Sequence, residues 1–116
     1  MAEYCIFFNE DWVPDYSDDD LRAISQQVRA VIAEMRAAGV FVFTGGLDND
    51  RPAFSVRPDG VFADGPYVET KELFGGLCIV DVADEADARR WAAKVAAACT
   101  WPQEVRPFRV PFDPTA

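Results

Sequence analysis

The sequence predicts an α+β domain in which two helices cover one face of a mostly antiparallel sheet. Three observations lead there. Apolar stretches recur in the order strand, helix, strand, two hairpin arms, strand, helix, strand. Two of them repeat at three and four residues, as amphipathic helices do, and the others are short and rich in β-branched and aromatic residues. The strand segments Tyr4 to Phe8, Val40 to Phe43 and Gly76 to Val82 are apolar on both sides rather than alternating. Two β-α-β crossings around an antiparallel sheet make the arrangement ferredoxin-like.

Tyr4-Cys5-Ile6-Phe7-Phe8 reads as the first strand, and Asn9 to Asp15, with Trp12 and Pro14, as a loop. Ser17 is a good N-cap, and Asp18, Asp19 and Asp20 place carboxylates at the positive end of the helix dipole. Leu21, Ile24, Val28, Val31, Ile32 and Met35 then draw one apolar stripe, which Gly39 ends. Val40 to Thr44 forms the second strand, running into Gly45-Gly46. Asp48-Asn49-Asp50 before Arg51-Pro52 is turn chemistry and lacks the further oxygen ligands of a calcium loop.

Ala53 to Arg57 and Val61 to Ala63 read as hairpin arms joined by the tight turn Pro58-Asp59-Gly60. Gly75 to Val82 is a strand, and Asp84 caps a second helix whose inner side carries Ala88, Trp91, Ala92, Val95 and Cys99. Glu104 to Val110 is the last strand, with Pro107 suiting an edge or a bulge. The whole of 1–116 reads as one domain, with 110–116 as a loosely held tail.

Net charge is −9, from 20 acidic and 11 basic residues. That balance opposes binding to nucleic acid or to an anionic membrane surface, both of which need a basic footprint. No apolar run approaches a membrane span and no basic-then-apolar leader opens the chain, so the expected location is cytoplasmic. Cys5, Cys78 and Cys99 are widely spaced and odd in number, which fits free buried thiols. Histidine is absent. Without the commonest metal ligand and neutral-pH base, neither a metal site nor a cofactor is expected.

The strand faces carry a further expectation. Two helices cover one face of the sheet, yet the strands are apolar on both. A second copy is the simplest cover, so the sequence predicts a homodimer, sheet against sheet.

One stretch is neither helix nor strand in pattern: Asp64-Gly65-Pro66-Tyr67-Val68-Glu69-Thr70-Lys71-Glu72, followed by Gly75-Gly76. It resembles the motif of the DGPF group of the YCII-related family, usually D-G-P-F-x-E-T-K-E and then Gly-Gly. Glu104-Val105-Arg106-Pro107 is similar to that family's closing E-[VI]-R-P, and Ala38-Gly39-Val40 to a turn found in relatives. The likeness runs from about Tyr4 to Val110. It implies the dimeric α+β barrel fold, in agreement with the argument from strand faces. Two departures matter. Tyr67 stands where the motif has Phe, and the His–Asp pair proposed for the wider family cannot exist in a chain without histidine.

The motif supports two readings. In the architectural one, Asp64-Gly65-Pro66 makes a turn, Glu69 and Lys71 are surface charges, and Gly75-Gly76 lets strand and helix approach. Lys71 and Arg106 then bond only to protein carboxylates such as Glu69, Glu72 or Glu104. In the functional one, Lys71 and Arg106 hold a small anionic ligand over the sheet, with Tyr67 and Thr70 as further binding residues. Asp64 or Glu69 then acts as catalytic base for proton abstraction beside a carbonyl, without metal or histidine. A non-catalytic module needs the cations and no base. Relatives of the DGPF group found alongside transcription-initiation factors imply that accessory, sensing role.

Overall fold

The computed structural model describes residues 2–65 and 73–109. Its elements are β1 (Ala2–Asn9), a 3-10 turn (Glu10–Trp12), α1 (Asp18–Ala37), β2 (Phe41–Gly46), β3 (Phe54–Val56), β4 (Phe62–Asp64), β5 (Phe74–Val82), α2 (Glu85–Cys99) and β6 (Glu104–Pro107). The expected tail at 110–116 lies outside the described residues.

Both helices begin as their sequences dictate. The Ser17 hydroxyl accepts from the Asp20 N–H, and the Asp20 carboxylate accepts in return from the Ser17 N–H, closing a capping box. Asp84 caps α2 through the Asp87 N–H. At the far end of α1, Gly39 takes φ +73°, the left-handed conformation that costs glycine least.

β2, β5, β1 and β6 form one antiparallel sheet in that spatial order. Each β-α-β crossing therefore skips one strand, which is the ferredoxin-like topology that the element order predicts. Alternation along β5 sorts the faces. Gly76, Cys78, Val80 and Val82 are buried under the helices, whereas Leu77, Ile79 and Asp81 on the other face are only half-buried. The core joins Ile6 of β1 and Met35 of α1 to Val80 and Val82, with Ala88, Trp91, Val95 and Cys99 of α2 and Trp101 closing it.

Two details differ from the sequence expectation, in β6 and in Gly75-Gly76. β6 ends at Pro107 rather than at residue 110, because proline has no N–H to extend the ladder; the Phe108 N–H still reaches Glu3 O at 2.9 Å. β6 is an edge strand, as Pro107 suggests. Gly75 and Gly76 make room for strands and not for a helix. A Cβ on Gly75 would meet the Phe8 ring and the Glu10 carboxylate, and one on Gly76 would lie 3.1 Å from Gly45 O. The hairpin β3–β4 pairs Phe54 with Asp64 and Val56 with Phe62, and it forms a sheet of its own instead of joining the main one.

Candidate functional site

A cavity of about 280 Å³ lies between α1 and the sheet. That is close to the lower end of the range of small-molecule sites, about 300 to 1,000 Å³. Its origin is legible in the residues on either side. On the sheet, Gly45, Gly46 and Gly76 line the space, so the surface there is bare backbone. Opposite, α1 presents Ile24, Val28 and Ile32, and it packs mainly on α2 rather than on the edge strand β2. A gap is left between helix and sheet edge.

Buried Ile6, Cys78, Val95, Cys99 and Trp101 form the floor. Leu21, Ser25 and Arg29 of α1 and Thr44 and Gly46 of β2 are exposed lining residues, and they mark the mouth. The polar groups are few, which is the usual make-up of a ligand site. The Thr44 hydroxyl donates to Leu77 O at 3.0 Å and keeps its lone pairs for another donor. Gln103 lines the opposite end, its amide nitrogen near Trp101 O at 3.4 Å. The Trp101 indole N–H is buried, with no acceptor among the described residues.

Arg29 gives the mouth its charge. Among the described residues, Arg22, Arg51, Arg57, Arg89, Arg90, Lys94 and Arg106 each pair with a carboxylate, whereas Arg29, Arg36 and Arg109 pair with none; of these three Arg29 lines the cleft, and Arg36 lies over the Phe41 ring. A guanidinium at the edge of an apolar cleft, with no carboxylate partner among the described residues, has donors free for an anion.

The two floor thiols are not nucleophiles at neutral pH. Burial pushes Cys78 up to about 11, outweighing the opposite influence of the nearby Thr44 hydroxyl. Burial pushes Cys99 to about 11 as well. Cys78 also lies 3.7 Å from Met35 Sδ. All three cysteines are free, and burial raises Cys5 too. Among the described residues, no group of three or more Cys, Asp or Glu side chains is placed to hold a metal ion.

The residues singled out in the sequence fall elsewhere. Tyr67, Glu69, Thr70 and Lys71 lie outside the described residues. Asp64 is exposed at the end of β4, across from Phe54 on the separate hairpin. Arg106 is exposed on edge strand β6, where its Nε lies 3.3 Å from Glu104 and its guanidinium 5.8 Å from the Phe7 ring centroid. No hydrogen bond or ion pair among the described residues joins Asp64 to Arg106. Arg106 therefore has the protein-carboxylate partner that the architectural reading expects of it.

Sequence reasoning overlooked Ser25, Arg29, Thr44 and Gln103. One signal was present. Ser25 and Arg29 stand four residues apart on the flank of the apolar stripe of α1, next to Leu21, Val28 and Ile32, where a core-facing helix has little use for a charge.

An antiparallel sheet with split β-α-β connections, two helices on one face and a ligand-sized cleft beneath one of them defines the class: a ferredoxin-like α+β protein with an interlayer cavity. The family model of the YCII-related domain matches residues 4–107, and the chain belongs to that family. A search of curated proteins finds no match to the chain. No helix among the described residues is long and apolar enough to cross a membrane.

Proposed function

We propose that this YCII-related protein binds a small, largely apolar carboxylate or related carbonyl compound in the cleft between α1 and the sheet. The observation that carries the reading is the placing of Arg29, without a carboxylate partner among the described residues, at the mouth of an apolar cavity of about 280 Å³. The apolar body of the ligand displaces water from Ile6, Val28, Cys78 and Trp101, and its anionic end accepts from the guanidinium.

The described lining holds one cation, two thiols that burial keeps protonated, and no carboxylate. That set suits holding an anion better than removing a proton. Binding without chemistry is also what an accessory sensing module of the DGPF group requires.

The reading includes a homodimer joined through the outer face of the sheet. It is supported by the half-buried Phe7, Phe74, Leu77 and Ile79 on that face and by Phe43, which is 56% exposed. The slab is 19 Å along its thin axis, the depth of one helix layer on one sheet, and both described helices pack on the inner face.

A thermal-shift screen of small aromatic and aliphatic carboxylates, run beside their methyl esters, tests the ligand reading. Stabilisation by acids more than by esters, lost in a cleft-filled Ser25→Trp variant, is the expected result. Equal stabilisation of wild type and variant would place the ligand elsewhere and overturn it.

A further inference from the structure

The hairpin β3–β4 has the wrong surface for an element that ends in water. Phe54 and Val56 on β3 and Phe62 on β4 share one face by register, with exposed Asp64 beside Phe54, and the three apolar residues are 71%, 51% and 67% exposed. The Phe54 and Phe62 rings meet edge to face with centroids 5.9 Å apart. The opposite face carries only Ser55 and Ala63. A two-stranded hairpin is marginal by itself in water, and this one makes little contact with the other elements. Among the described residues its root is tied down: the Leu47 N–H donates to Gly75 O at 2.9 Å and the Asn49 amide to Phe74 O at 3.1 Å.

We infer that this hairpin is an arm whose Phe54–Val56–Phe62 face closes over a second copy of the chain. The inference rests on the sheet-to-sheet dimer proposed above and adds a second contact to it. Area favours this occupant. A four-stranded face about 19 Å wide and about 20 Å long offers on the order of 400 Å². A stable interface needs about 800 Å² from each partner. The two exposed phenyl rings and the valine supply on the order of 300 Å² of what is lacking.

Charge points the same way. Arg57 is neutralised by Asp59 at 2.6 Å and Arg51 by Asp48 at 3.2 Å, so the rim of the arm offers no free cation to phosphate or lipid headgroups. What remains is a face of two phenyl rings and a valine with the Asp64 carboxylate at one end, and the same chain carries Phe7, Phe43, Phe74, Leu77 and Ile79 on its outer sheet face to meet the apolar part. The arm leaves from β2, an edge strand, and therefore starts at the rim of that face.

The test measures molar mass by light scattering across a dilution series for wild type, Phe54→Ser/Phe62→Ser and Ile79→Lys. A second measurement looks for isotope-filtered contacts from the Phe54 and Phe62 rings across a mixed labelled and unlabelled wild-type sample. The expected outcome is a wild-type dimer of twice 12.9 kDa. Its Kd should rise at least about thirtyfold in the arm variant, the effect of losing one hot-spot aromatic. Intermolecular contacts from both rings should appear.

A wild-type dimer whose Kd the arm variant leaves unchanged, with no intermolecular ring contacts, overturns the arm and leaves the sheet interface standing. A dimer that Ile79→Lys leaves intact but the arm variant dissolves keeps the arm and overturns the sheet-to-sheet reading. A wild-type monomer at every concentration overturns both. If the arm variant misfolds, the ring contacts in wild type decide.

Discussion

A Cβ placed on Gly76 would stand 3.1 Å from the carbonyl oxygen of Gly45 on the neighbouring strand. Nothing there can swing aside, because the obstacle is the backbone of the β2–β5 ladder. The same approach leaves the sheet without side chains where the cleft lies, so one pair of glycines serves both the ladder and the cavity.

Replacing Gly76 with alanine should therefore lower stability by about 1 to 3 kcal/mol, the usual cost of overpacking. Urea unfolding of Gly76→Ala against wild type measures it. A neutral outcome would mean that the two strands part more easily than their register implies.

Arg29 should matter to the ligand and little to the fold. It is exposed and pairs with no carboxylate among the described residues, so Arg29→Ala should leave the unfolding midpoint nearly unchanged. Losing a charge-assisted hydrogen bond of about 1.5 to 3 kcal/mol should weaken carboxylate binding about 10- to 150-fold. Arg29→Lys should recover part of the loss, since lysine keeps the charge without the bidentate fork. Titration calorimetry with the best acid from the screen gives all three affinities.

The floor thiols predict an alkaline loss of stability. Burial raises Cys78 and Cys99 to about 11 from an ordinary value of 9.0, so the folded state holds these protons more tightly than the unfolded chain. Their stabilising effect is complete below pH 9 and is lost as pH rises through about 11. The decline should be on the order of 2 kcal/mol for each thiol. Unfolding curves between pH 8 and pH 11.5 should fall in wild type and flatten in Cys78→Ala/Cys99→Ala.

Arg106 tests the architectural side of the account. Its ion pair with Glu104 is exposed, at 71% for the arginine side chain, and such pairs contribute about 0 to 1 kcal/mol. Arg106→Ala should shift stability within that range and leave carboxylate affinity in the cleft unchanged. A loss of affinity matching that of Arg29→Ala would return the ligand to the motif and the last strand.

How far the residues alone carried this picture differs from part to part. Ser17, Asp84 and Gly39 announced the helix ends because capping is local chemistry, and Pro107 announced its edge for the same reason. The apolar stripe of α1 gave the core face, from Ile24 to fully buried Met35. The cleft was harder to see because it depends on distance between elements. Gly45-Gly46 and Gly76 are far apart in sequence and meet only when β2 pairs with β5. Arg29 reads as an ordinary solvated helix residue until the sheet beneath it is known to be bare. The motif and the closing Glu104-Val105-Arg106-Pro107 point to Asp64 and Arg106, which sit on the hairpin and on the far edge strand. Local charge density says nothing about which side chains converge.

The most direct test of the cleft as a ligand site is an amide chemical-shift titration of the labelled protein with benzoate, a small apolar carboxylate. The account predicts saturable shifts at Ser25, Arg29, Thr44, Gly45, Gly46, Gly76 and Cys78, with the Trp101 indole N–H moving among them. Saturable shifts confined to Asp64 and Arg106, or no saturable shifts with any acid that stabilises the protein, would contradict it.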